Sequence, residues 1–342
     1  MSRHRLRTPL CDLLGCEVPI LQAGMGGVAR AELAAAVAEA GGFGMLGMVR
    51  EPPEQIAREI EAVRARTDRS FAVNLIPAAT DPALLAAELD VCLAAQVPAM
   101  CFFWDVVPEA VARAREAGCL VLHQVGTLKA AQAAEAAGAD VLIAQGIEAG
   151  GHVHGQTSAL VLVEQLARAC ALPVVASGGF ASGAGLVAAL ALGAEGIHCG
   201  TAFLATRESF AHDHHKRKVL EARAEDTVLT DLFSLNWPPG APVRVIGNAL
   251  TDAIGGTLFG HHPEVLPPEV IAEDDGRPIL RYSTDSPLRT TTGDLDAMPA
   301  FAGHSTTLID DLPTAAERIA TIMAGAEAAL ARLETGGRNE RV

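Results

Sequence analysis

Over the first two hundred residues, short apolar runs alternate with longer stretches rich in alanine and charge. The joint between the two kinds of segment repeats: AEAGGFGML (38–46), REAGCLVL (115–122), EAAGADVLI (135–143) and LALGAEGIHC (190–199). In each, an Ala-rich helix stops at a glycine (Gly41, Gly118, Gly138, Gly193) and an apolar strand follows. Glycine closes a helix in the left-handed conformation without a steric penalty, which suits the position just past the last turn. The strands are continuously apolar instead of alternating, as in a parallel sheet covered on both faces.

This pattern predicts strands near 18–23, 43–48, 71–76, 98–103, 120–125, 141–145, 173–177 and 196–200. Helices are predicted at about 30–40, 53–65, 82–95, 108–117, 128–137, 159–169 and 183–192. Eight such units favour a closed (β/α)8 TIM barrel over an open, doubly wound sheet. The glycines of QAGMGGVAR, at 24, 26 and 27, have the wrong spacing for a dinucleotide fingerprint. Past Arg207 the text changes: HDHHKRK, NWPPGAP, LPPEV and STDSPLRTTTGD bring charge, prolines and turns. We therefore divide the chain into a barrel (1–206), an inserted subdomain of short helices and loops after strand eight (207–297), and a helical segment returning to the barrel (298–342).

Composition narrows the function. With 26 Lys+Arg against 41 Asp+Glu the net charge is −15, which argues against nucleic acid or an anionic membrane as partner. A phosphorylated cofactor stays compatible, because a few backbone N–H groups suffice to hold it. The seven cysteines are scattered, and the Cys11–Cys16 spacing is neither a zinc knuckle nor a redox CxxC, so reduced, buried thiols are expected. Asp12 and Glu17 interrupt the apolar run that a signal peptide would need after the basic start. The uncharged stretch Ala169–Ala194 is broken by Pro173 and five glycines, so it reads as a strand and a helix in a core, not a membrane span. The chain reads as cytoplasmic; its oligomeric state is left open, a homodimer included.

In a barrel of this kind chemistry gathers at the carboxyl ends of the strands. There the sequence places Gln22 with AGMGG, Asn74, Trp104 and Asp105, His123 and Gln124, Gln145, Ser177-Gly178-Gly179, and His198-Cys199-Gly200-Thr201. Carboxamides with almost no charge suit a planar heterocycle rich in donors and acceptors. The paired loops Gly178-Gly179 and Gly200-Thr201, after strands seven and eight, suit a phosphate, where a β-carbon would hold the oxygens away from the amides. His152 and His154 form an HxH pair that could suggest a metal with His123 and Asp105, but no further ligand set completes such a site. HDHH (212–215), beside Lys216, Arg217 and Lys218, is read as a solvated helix face.

The motifs QAGMGG, FAVNLIP, QGIEAGGH, VVASGGF and HCGTAFLAT, in this order, resemble the nitronate monooxygenase family, over about residues 15–206 and more loosely to about 310. The resemblance implies FMN as cofactor. It implies that Met25, Asn74, Gln145, Gly150, Gly179, His198, Cys199, Gly200 and Thr201 border it, and that His152 of EAGGH is the catalytic base. The implied reaction oxidises a small alkyl nitronate with molecular oxygen to a carbonyl compound and nitrite. An NAD(P)H-dependent flavin reductase of an enoyl thioester or quinone is the alternative, and a barrel that merely binds a phosphorylated ligand a more distant one. HQVGT (123–127) and Gly303-His304 depart from residues that many members carry, which bears on the substrate subgroup. On this reading the glycines at 146, 150, 151 and 155 let the loop pass closely over a flat ring, His152 is placed to take a carbon-bound proton, and His154 faces solvent. The segment 207–300 is expected to act as a lid.

Overall fold

A computed structural model describes residues 6–335; the first five residues of the basic start and the last seven lie outside the described residues. Eight parallel strands form one sheet: β1 (Ile20–Gln22), β2 (Gly44–Gly47), β3 (Phe71–Leu75), β4 (Ala99–Phe103), β5 (Leu120–Val125), β6 (Val141–Gln145), β7 (Val174–Ser177) and β8 (Gly196–Cys199). The sheet neighbours follow chain order, and β8 pairs with β1. A parallel bridge from Leu21 to Phe43 closes the circle, so the expected (β/α)8 barrel is what forms. All four joint glycines take positive φ, from 82° at Gly118 to 102° at Gly138.

The first helix, α1 (Pro9–Leu14), plugs the bottom of the barrel. Helices α2 (Ala31–Glu39), α3 (Pro53–Arg64), α4 (Pro82–Ala94), α5 (Pro108–Glu116), α6 (Leu128–Ala137), α7 (Ala159–Ala169) and α8 (Gly183–Ala191) follow the first seven strands. After β8 come only the short α9 (Thr201–Leu204) and the long excursion. The final helix, α12 (Ala315–Glu334), then packs between α8 and α2 and completes the outer ring. Its contact with α8 is backbone to backbone: a β-carbon on Gly183 would fall 2.0 Å from the Ala326 nitrogen.

Two apolar layers result. Residues pointing out from the strands, such as Val73, Phe102, Leu142 and Ile197, pack under the helices. Residues pointing in, such as Leu21, Met45, Ala72, Leu122, Ile143 and Val175, fill the lower barrel against Leu10 and Leu14 of α1. Side chains alternate across a strand. The residue two further along each inward row is therefore what the barrel presents at its top, and there the chemistry changes: Ala72 gives way to Asn74, Leu122 to Gln124, Ile143 to Gln145 and Val175 to Ser177.

The excursion contains more strand than its turn-rich sequence indicates. After α10 (Asp213–Glu221) come β9 (Thr227–Thr230) and β10 (Val243–Ile246), then α11 (Ala249–Ala253) and a second sheet of β11 (Val270–Asp274), β12 (Arg277–Leu280) and β13 (Thr291–Gly293). Runs of three to five residues between prolines and glycines are too short to display a period, which is why they read as loops. The α-helix expected from 298 begins only at 315; before it lies a single 3-10 helix, His304–Leu308, between Gly303 and the stretch that ends at Pro313. The HDHH helix is not a solvated face: His215 and Lys216 are buried, His215 Nε2 meeting the Phe301 carbonyl at 3.0 Å and Lys216 donating to the Ser209 carbonyl at 2.8 Å.

Gln22, noted above as a strand-end amide, works inside the wall. It is fully buried, its Oε1 accepting from the Met45 N–H at 3.0 Å and its Nε2 donating to the Met45 carbonyl at 3.1 Å. It replaces the ladder that β1 and β2 lack at their upper ends. Gln22→Leu, similar in size but unable to bond, leaves both Met45 groups without a partner. A buried group so stranded costs about 1–3 kcal/mol, so the unfolding free energy should fall by that order per group, read as a lower urea midpoint at constant denaturant slope.

Candidate active site

The top of the barrel opens into a cleft of about 1190 Å³ of empty space, counting its mouth. This is ample for a cofactor-sized ligand, whose pockets span roughly 300–1,000 Å³. Met25, Asn74, Gln145, Gly150, His152, Gly179, His198, Gly200 and Thr201 all line it. Cys199 does not. Next to the inward-facing His198 it has the opposite parity, and its thiol lies in the apolar layer beneath the helices. His123 is likewise turned outward, fully buried behind the wall, where its ring stands 6.3 Å from that of Phe102. Of the HxH pair and His123, only His152 lines the cleft.

One end of the cleft is a cradle of bare backbone. Gly178 and Gly179 take φ of 93° and 84°, a region L side chains rarely adopt, and a β-carbon on Gly178 would stand 2.9 Å from the Gly146 carbonyl oxygen. The amides of Gly179 and Gly200 donate to no group among the described residues. Unpaired N–H groups beside a cleft whose lining includes no Asp or Glu suit a phosphate, with the nearby Glu148 carboxylate turned to the Ala159 N–H. Along the wall, Asn74 donates Nδ2 to the Cys101 carbonyl at 3.1 Å, and its Oδ1 accepts nothing among the described residues. Ser177 and His198 Nδ1 share a hydrogen bond of 2.9 Å, while His198 Nε2 is buried without a partner. Free amide donors, an amide oxygen that can accept and an orphaned ring nitrogen make up the mixed set that a phosphorylated heterocycle such as FMN would satisfy.

The EAGGH loop is built differently from the expectation of a bare strip over a flat ring. Most of its glycines admit another stretch of backbone. A β-carbon on Gly150 would lie 2.4 Å from the Gly303 nitrogen, one on Gly155 2.1 Å from the Gly126 oxygen, and one on Gly146 2.3 Å from the Ala159 nitrogen. Only Gly151, with φ of 72°, has open space where a side chain would be. Glu148 caps α7, its carboxylate accepting from the Ala159 N–H at 2.9 Å. Gln145 braces the loop at both ends of its amide: Nε2 donates to the His152 carbonyl at 2.8 Å, and Oε1 accepts from the His154 N–H at 3.2 Å. Gly151–His152 then pairs antiparallel with Val243 and Arg244 of β10.

His152 sits in an aromatic cage. Its ring stacks on Trp237 at 3.6 Å between centroids, with 8° between planes, and Trp104 and Phe301 stand 6.1 Å and 6.4 Å away. The residue is buried, and neither ring nitrogen makes a hydrogen bond among the described residues, although the Pro242 carbonyl faces the ring. Burial pushes its pKa down to about 3, with the nearby Arg50 charge acting the same way. Burial alone takes His198 to about 4. At neutral pH both imidazoles are uncharged. His154 does not face open solvent: it is half-buried, 4.8 Å from the Trp104 ring centre.

Several cleft residues escaped the sequence reading: Arg50 after β2, and Trp237, Thr284, Ser286 and Phe301 from beyond the barrel. NWPPGAP reads as a turn, and nothing local shows that its indole reaches the barrel mouth. A usable signal was the rarity of tryptophan: the chain has two, and they stand 5.8 Å apart in this site.

The architecture is that of a (β/α)8-barrel enzyme with a cradle of bare backbone at one end of its cleft and a buried histidine above the ring of strand ends. A family model described as nitronate monooxygenase matches residues 7–325. The chain belongs to the nitronate monooxygenase family and is an oxidoreductase. Among its relatives, a nitronate monooxygenase of Paraburkholderia phytofirmans is 32% identical, covering 94% of this chain and 96% of that one. A (3aS,4S,5R,7aS)-5-hydroxy-7a-methyl-1-oxo-octahydro-1H-indene-4-carboxyl-CoA dehydrogenase of Mycobacterium tuberculosis is 38% identical, covering 73% of this chain and 69% of that one. The solved structure of FabK from Thermotoga maritima superposes with a TM-score of 0.81 at 31% identity, covering 96% of this chain and 99% of that one. No helix among the described residues is long and apolar enough to cross a membrane.

The depressed histidines make stability depend on pH in a definite direction. In the unfolded chain a histidine titrates near 6.5, whereas His152 and His198 here hold out to about 3 and 4. Between those values the unfolded state binds more protons, so stability rises with pH there and falls as the solution is acidified. Urea unfolding at pH 7.5, 6.0 and 5.0 should show a falling midpoint, and His198→Asn should flatten that fall.

Proposed function

We propose that the protein oxidises small alkyl nitronates with FMN and molecular oxygen, giving a carbonyl compound and nitrite, and that His152 takes the α-proton when the substrate is a neutral nitroalkane. The observation that carries the proposal is the unprotonated, unpartnered imidazole of His152 at the cleft of a chain in this family. FMN, when bound, supplies the electron acceptor that links substrate oxidation to oxygen. The chain's own contributions are binding, orientation and proton transfer. Gly178, Gly179 and Gly200 would hold the phosphate on their amides, and Asn74 and His198 would meet the heterocycle and its side chain. Gln145 fixes the height of His152 through the backbone, and Trp237 fixes the plane of its ring. We propose further that 207–297 forms the substrate wall; its pairing with Gly151–His152 favours a fixed roof over a freely hinged lid.

A base whose conjugate acid lies near 3 is always available at neutral pH, but it is weak. Forming a nitronate anion beside it offsets that weakness, because an opposite charge favours the imidazolium. An already formed nitronate needs no base. His152→Ala should therefore keep its flavin and lose about 10²–10⁴-fold in kcat/KM on neutral nitroalkanes, with a much smaller loss on preformed nitronates. Equal loss on both substrates would remove His152 from the proton step.

The deciding experiment separates this from a second reading, favoured by the carboxyl-CoA dehydrogenase among the relatives: an NAD(P)H-dependent flavin reductase of an enoyl thioester or quinone. Purified protein should release FMN, not FAD, on denaturation. In aerated buffer without NAD(P)H, the nitronate of 2-nitropropane should drive oxygen uptake and nitrite release. No uptake with nitronate, together with rapid bleaching by NADH or NADPH and recovery on adding an enoyl thioester, would assign the reductase activity instead.

A further inference from the structure

Arg50 brings a cation into the cleft, and among the described residues it makes no ion pair. It follows β2 in a turn with φ of 58°, left-handed backbone that costs a non-glycine residue about 1–3 kcal/mol and collects at functional sites. One guanidinium nitrogen donates to the Asn236 carbonyl and another to Thr284 Oγ1, both uncharged acceptors. The rest of the fork donates to nothing among the described residues, where Arg50 also makes no ion pair.

Asp285, Glu88 and Glu51 lie near enough to act on its charge, but none of them forms an ion pair with it among the described residues. Asp285 pairs with Arg277 at 3.0 Å. Glu88 of α4 is fully buried and neither oxygen reaches a hydrogen-bond partner, although the Arg50 and Glu51 amides face it. Burial drives that carboxyl up to about 8, toward the neutral acid at physiological pH, and burial also raises Glu51. What remains is a half-buried guanidinium in a largely apolar mouth, close enough to depress His152, with the Thr284 and Ser286 side chains also lining the cleft.

We propose that Arg50 is the substrate's anchor, holding a planar anion that carries two oxygens on one trigonal atom: a nitronate or, by the same geometry, a carboxylate. A guanidinium fork matches such a pair of oxygens with parallel N–H bonds. The role rests on the nitronate reading and completes its proton step. As the C–H bond breaks, the proton goes to an imidazole nitrogen of His152, the electron pair forms the C=N bond, and the negative charge moves onto the nitro oxygens facing Arg50.

The test needs no turnover. Both tryptophans of the chain, Trp104 and Trp237, stand in the site, so their emission reports on it. The flavin-loaded protein is titrated at pH 7.5 with isobutyrate, a carboxylate shaped like the nitronate of 2-nitropropane, and with isobutyramide, its neutral counterpart. Wild type should bind isobutyrate saturably and about 10-fold or more tighter than the amide; equal affinity, or no saturable binding of the acid, overturns the proposal without any variant. Arg50→Gln should weaken isobutyrate by about 10–100-fold, as expected for a charge-assisted bond, and raise KM for nitronate by a similar factor at unchanged flavin content. Arg50→Lys, which keeps charge without the fork, should fall between. A strut between barrel and insertion would lower Tm and leave both affinities in place, and that pattern also overturns it. If nitronate proves not to be a substrate while isobutyrate still depends on Arg50, the oxidation of nitronates fails and the anchor stands.

Discussion

The pleat of eight parallel strands is the constraint from which the site follows. Side chains on a strand alternate between two environments, and barrel closure makes one of them an enclosed interior. In that interior the lower positions are leucine, methionine, alanine and valine, resting on α1. One inward step higher, the same rows carry Asn74, Gln124, Gln145 and Ser177. A slip of a single residue in any strand would exchange a cleft amide for a residue from beneath the helices. Cys199 shows how sharp the rule is: adjacent in sequence to a cleft histidine, it is removed from the chemistry by parity alone.

On this frame the loop after β6 is held by partners from three parts of the chain. Gln145 braces it from the strand below, Glu148 ties it to the start of α7, and Ala302–Gly303 presses on Gly150 from the C-terminal segment. β10 of the insertion adds a strand pairing across Gly151–His152. The histidine thus stands on a point determined from several directions, and its ring plane is set by stacking on Trp237. Desolvation in that cage keeps it uncharged; the same cage prevents a water-like environment from restoring ordinary basicity.

Much of this was legible before the fold. Glycine after alanine-rich helices located the joints, and unbroken apolar runs located the strands. Strand-end residues could be collected because this architecture places chemistry there. What could not be read was pairing between distant segments. The glycines of EAGGH read as room for a ring, yet most are room for backbone arriving from Gly126, Ala159 and Ala302–Gly303. Arg50, Trp237 and Phe301 belong to loops whose meeting no local period encodes. HDHHKRK read as solvated because charge is a surface signal on average, whereas here the Phe301 and Ser209 carbonyls satisfy His215 and Lys216 inside.

The position of α12 has a consequence for how the protein is made. This helix fills the gap in the outer ring between α8 and α2, and Glu208 caps its start across 107 residues of chain, accepting from the Ala315 N–H at 3.0 Å. A polypeptide leaving the ribosome at about 5–20 residues per second presents all eight strands well before the helix that covers their last gap. In that interval the small-residue groove at Gly183 and the apolar flank of α2 stay open to water and to other chains. Newly made protein would then be most vulnerable to aggregation, and most in need of a chaperone, while that late helix is still emerging.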